Sequence, residues 1–148
     1  MDIFRCIQDI KTHLKLSFDE VDRWFDKDNE TLNYQPSNGG WTVRQILEHI
    51  YFTNFYLLIL IEKGSKKAMR NYLNLDLNIE IKNYSFNQEK FEKVGDYDAF
   101  EWIRPEHMEP KGELKLTEIR SLISKQYHQC LNYLDLMKTA KVFSAKQQ

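Results

Sequence analysis

The sequence predicts an all-α fold, an antiparallel up-and-down helical bundle, and three observations predict it. Three long segments carry apolar residues at spacings of three and four, the period of an amphipathic helix. Glycine and proline are sparse, five and three in 148 residues, so little interrupts those segments. Hydrophobic residues at 42% and charged residues at 29% are the proportions of a globular chain with enough material for one core.

The first helix is expected over residues 2–27, where Ile3, Ile7, Ile10, Leu14, Phe18, Val21 and Phe25 form a stripe between charged residues. The second is expected over 42–63. Its start is written in "GGWTVRQILEHI": Thr42 is an N-cap, Gln45 three residues on completes a capping box, and Trp41 and Ile46 are placed for a hydrophobic staple. Val43, Ile46, Leu47, Ile50, Leu57, Leu58 and Ile61 make its stripe, and Gly64 supplies a stop. The third is expected over 116–138, with Leu116, Ile119, Leu122, Ile123, Cys130, Tyr133, Leu134 and Met137 on one side. Gln126 lies near the centre of that stripe and needs a hydrogen-bond partner if buried.

Residues 65–112 keep no sustained period. Short helices are expected near 66–73 and 87–94, and the alternation of Leu75, Leu77, Ile79 and Ile81 leaves a short extended piece around 75–82 as a minor alternative. Pro105 and Pro110 enforce a loop ahead of the third helix. Residues 1–140 therefore read as a single domain and 141–148 as a polar tail.

Lys plus Arg number 21 against 22 for Asp plus Glu, so no basic excess points to nucleic acid or an anionic membrane. The most apolar run, "FYLLILI", is too short to span a bilayer, and the first residues have no long apolar signal core. Cys6 and Cys130 are far apart and form no C-x-x-C pair. These features predict a cytoplasmic chain.

No phosphate loop and no nucleophile elbow occurs, so candidate chemistry falls to the histidines. His49 lies on the flank of the second stripe, close to Thr53, Tyr56 and Leu60, where a helix faces its neighbours across a crevice. Two readings stand: a half-buried imidazole hydrogen-bonded to a neighbouring helix, or a ligand for zinc, iron or nickel. His128 is expected to face solvent, His13 to pack beside the first stripe, and His107 to be solvated or to brace a loop.

The stretch "PSNGGWTVRQILEHI" resembles the second-helix motif of the DinB/YfiT-like superfamily, in which Trp-Ser/Thr, an apolar helix start and a histidine share this register. The likeness continues loosely through "FEWIRPEHMEPKG" and "LTEIRSLISKQYHQCLNYLDLM", over most of residues 1–138. The resemblance implies a four-helix bundle, often dimeric, with a divalent metal held by three histidines and hydrolase or thiol-transferase chemistry. His49 matches the first of those histidines. The other two are expected as a pair on a last helix, and no histidine follows His128, so the fourth helix is expected to be missing or replaced by the crossover or a partner.

Two functional classes follow. One is a metal-dependent hydrolase or thiol transferase with an incomplete site, His49 being a metal ligand and His107, His13 or a partner chain supplying the rest. The other is a non-catalytic helical module for dimerisation or small-molecule binding. Three wide stripes leave one side of a bundle uncovered, which predicts a homodimer burying residues such as Leu58, Leu131 or Tyr133.

Overall fold

A computed structural model describes residues 3–72, 77–85, 87–96 and 105–145. Every regular element among them is helical: α1 (Ile3–Trp24), α2 (Asn29–Asn33), α3 (Val43–Tyr72), α4 (Leu77–Asn83), α5 (Gln88–Gly95), a 3-10 turn at Glu106–Met108, and α6 (Leu116–Ala145). An all-α bundle is present as expected, built on the three long helices α1, α3 and α6, but the up-and-down order is corrected, since α3 and α6 run in the same direction.

α6 is its axis, because both α1 and α3 pack mainly on it. Contacts along their lengths set the directions. Arg120 near the start of α6 reaches Asp22 and Asp26 at the end of α1, whereas Lys11 bonds Asp135 near the other end, so α1 and α6 are antiparallel. Gln126 bonds the Tyr51 carbonyl, and Tyr133 and Leu136 lie beside Glu62, Lys66 and Met69, so α6 runs alongside α3 in the same direction. The crossover between them makes that possible by carrying the chain back to its starting end.

The core sits at the end where α1 finishes and α3 and α6 begin. Phe25, Leu32, Leu47, Ile119 and Ile123 form it, with Phe18, Val21, Val43 and Ile50 packed around. The turn after α1 is closed by Asp28, whose carboxylate accepts from the Thr31 amide to cap α2 and so seats Leu32 in the core.

Three further expectations are corrected. α3 does not stop at Gly64 but continues to Tyr72. Gly64 keeps a negative φ, and Glu62, Lys63, Lys66, Lys67, Ala68 and Met69 are helix formers that together outweigh the roughly 1 kcal/mol cost of one interior glycine. Residues 77–83 are helical, not extended, although the alternation continues into residues 75 and 76 outside the described set. α6 extends to Ala145, so most of the stretch expected as tail is helix.

The Arg120 guanidinium grips both carboxylates, at 2.7–2.8 Å to Asp22 and 2.7 Å to Asp26, and lies over the Phe25 ring. The hydrogen bonds from Arg120 hold the Asp22 carboxyl below its ordinary value of 3.8. A lowered carboxylate stabilises the fold above that value, and the contribution disappears as pH falls through the folded-state value. R120A is therefore expected to cost about 1 kcal/mol at neutral pH, limited by solvent screening. The gap from wild type should close below the carboxylate range in urea titrations, and a gap that persists in acid would show that the arginine acts by packing alone.

Candidate functional site

The capping box predicted at the start of α3 is present. The Gln45 amide donates to Thr42 Oγ1 at 3.2 Å, and the Thr42 amide donates to Gln45 Oε1 at 2.9 Å. This fixes the helix register, and the register sets where residues 48 and 49 point. The expected staple is not what Trp41 makes of its ring. The indole lies against the His49 imidazole, centroids 4.7 Å apart, and Ile46 is left 43% exposed.

His49 is half-buried, as its place on the flank of the stripe predicts. Its Nδ1 is 2.6 Å from the Met108 carbonyl oxygen, which accepts only, so Nδ1 carries the hydrogen. In the neutral ring the lone pair then belongs to Nε2, which faces Thr53 Oγ1 at 3.4 Å. One turn further along α3, Tyr56 packs on the His107 ring, centroids 4.1 Å apart. The 3-10 turn is thus held against α3 by a carbonyl on His49 and a ring on Tyr56.

Glu48 was not singled out by sequence reasoning, and it is the most informative residue beside the site. It is only 1% exposed. Its carboxylate accepts the Gly112 amide at 2.6 Å and the Leu114 amide at 3.4 Å. Gly112 has a φ of +71°, a conformation that glycine adopts without steric cost, and this turns its N–H toward the acid. Two consecutive residues of α3 therefore hold the two halves of the Pro105–Leu116 segment. A glutamate opposite an apolar stripe ordinarily reads as solvent-facing, and only the proline-flanked loop hinted that something would lie over it.

The remaining candidates are dispersed. His13 is exposed on α1, which corrects the packing role expected for it, and His128 is exposed as expected. His107 is exposed and committed to Tyr56. Gln126 is buried and donates to the Tyr51 carbonyl at 2.9 Å, the partner it needed, although its Oε1 has no donor among the described residues. Burial pushes the Cys130 thiol above its ordinary range, so it is held as a poor nucleophile.

For a metal, His49 has half of the required arrangement. A ligating imidazole almost always donates its other N–H to a carbonyl or carboxylate, as His49 does. A catalytic zinc site generally needs three protein ligands, and no group of three His, Cys, Asp or Glu among the described residues is placed to hold an ion. A self-contained three-ligand centre does not fit these residues.

The described cavities lie elsewhere. One of about 280 Å³ opens between α1 and the start of α3, walled by Val21, Trp24, Val43, Ile46, Leu47 and Ile50, with Glu20 at its rim. Another, about 520 Å³, is a surface hollow where Tyr133 and Leu136 meet Met69 and Arg70. No helix among the described residues is long and apolar enough to cross a membrane.

A family model described as the DinB superfamily matches residues 14–144. No curated protein and no solved structure matches the chain. The match covers all of α3, the Glu48–His49 clasp and nearly all of α6, and by it the chain belongs to the DinB superfamily.

Proposed function

We propose that this DinB-superfamily chain works as a non-catalytic helical module that assembles as a homodimer and holds a small apolar molecule. The cavity between α1 and α3 carries the reading. Its walls are aliphatic side chains and one indole, and they offer no buried hydrogen-bond donor to a polar ligand. Its volume of about 280 Å³ suits a hydrocarbon or aromatic body of modest size. The Glu48–His49 clasp serves this module as structure, anchoring the crossover so that α6 can support both cavity-bearing helices.

Titration with the apolar fluorophore N-phenyl-1-naphthylamine tests it. Saturable binding with energy transfer from Trp24 is expected. V21F should fill the cavity and abolish that binding while the helical circular dichroism stays unchanged. A probe that binds V21F as tightly as wild type would sink the reading.

One observation favours a second reading, a metal-dependent hydrolase or thiol transferase. The Met108 carbonyl orients His49 as a ligating imidazole and leaves Nε2 to bind zinc, nickel or iron. In this reading His49 is one ligand, and the others come from a partner chain or from outside the described residues. Stoichiometric metal in the purified protein, lost in H49A, would support it. Metal-free protein that takes up none of the three ions in calorimetry would remove it.

A further inference from the structure

The hollow between α3 and α6 differs in chemistry from the cavity beside α1. One wall is a face of α3 on which Glu62, Lys66, Met69 and Arg70 follow at spacings of three and four, and the other is Tyr133 and Leu136 of α6, one turn apart. Met69 is 50% exposed and Leu136 54% exposed, so the hollow offers apolar surface that the chain leaves in water.

Its charges do not balance. Lys66 Nζ donates to Glu62 Oε1 at 2.5 Å, which matches those two groups. Arg70 uses only its Nε, on the Lys66 carbonyl at 3.3 Å, and no carboxylate among the described residues meets its two Nη groups. Asp135, the one acid of α6 beyond its first turn, is drawn to α1 by Lys11 at 2.6 Å. Residues 63–70 carry Lys63, Lys66, Lys67 and Arg70 and no acid, although the chain has a net charge of −1. The field over this end of α3 therefore attracts anions.

We propose that the hollow binds a free amphipathic monocarboxylate, its carboxylate on the Arg70 guanidinium and its apolar body laid over Met69, Leu136 and the Tyr133 ring. One unmatched cation selects a single negative charge, since a dianion would need Lys66 as well, which Glu62 holds. The planar guanidinium fork selects a carboxylate, whose two oxygens take two parallel N–H groups. A volume of about 520 Å³, within the range of small-molecule sites, accepts a body on the order of ten carbons. The cavity beside α1 has no cation in its wall, so the two sites take different ligands.

Calorimetric titration of the full chain with decanoate tests it, with decanol as the uncharged comparison. Decanoate should bind about tenfold more tightly than decanol. R70Q changes an exposed side chain, so it should keep its helical circular dichroism and raise the decanoate dissociation constant about tenfold. V21F, which fills the cavity beside α1, should leave decanoate binding unchanged. Equal affinity for decanoate and decanol, or R70Q binding as tightly as wild type, overturns the proposal. Decanoate binding that is lost in V21F places the ligand beside α1, which overturns the proposal and sustains the apolar-cavity reading. Protein that sediments with phosphatidylserine vesicles but ignores free decanoate assigns the hollow to a lipid surface and overturns it as well.

Discussion

Replacing Glu48 by alanine is expected to destabilise the protein by about 3 kcal/mol, because two loop amides lose a charged acceptor that is itself buried. Gly112 and Leu114 would each lose the acceptor that holds the loop on α3. The wall that Glu48 builds at 1% exposure would also be emptied. E48Q retains an oxygen of the same reach and should lose only about 1 kcal/mol, since a neutral acceptor replaces a charged one. Urea unfolding gives both values. Amide exchange at Gly112 adds a local readout, faster in E48A than in E48Q. An E48A variant within about 0.5 kcal/mol of wild type, the range of ordinary surface substitutions, would show that the loop is held by other contacts.

Ile119→Ala should have an effect at least as large, about 3–4 kcal/mol, within the range for truncating a buried isoleucine. Ile119 is 0% exposed and sits between Phe25, Leu32 and Leu47, contributed by α1, α2 and α3 or the turns beside them. Neighbours on three separate elements cannot all move inward to refill one space, which places the cost in the upper part of the range. At about 3 °C per kcal/mol for a chain of this size, the midpoint of thermal unfolding should fall by roughly 10 °C. Calorimetry checks this, and a fall under about 3 °C would mean that the core collapses around the cavity more freely than its composition suggests.

Legibility in the sequence followed how local each interaction is. The capping box joins residues three apart, and the three stripes repeat within single helices, so both were readable from spacing alone. His49 was placed correctly beside Thr53 for the same reason. Glu48 could not be read, since its partners lie 64 and 66 residues away and no pattern within α3 marks them. Leu58 was expected at a dimer surface but is buried within the chain, because α6 runs beside α3 and covers that side. Gly64 misled because a local stop signal was weighed by itself, without the run of helix formers around it.

The central place of α6 bears on how this chain is made. Phe25 in the turn after α1, Leu32 of α2 and Leu47 of α3 belong to the core, but α1 and α3 touch each other far less than each touches α6. Ile119 and Ile123 complete the cluster, and both belong to the last helix. During synthesis, everything through α3 leaves the ribosome with its apolar faces still in search of a partner. The crossover is then a delay as well as a connection. The core of the described residues is complete only once α6 has emerged.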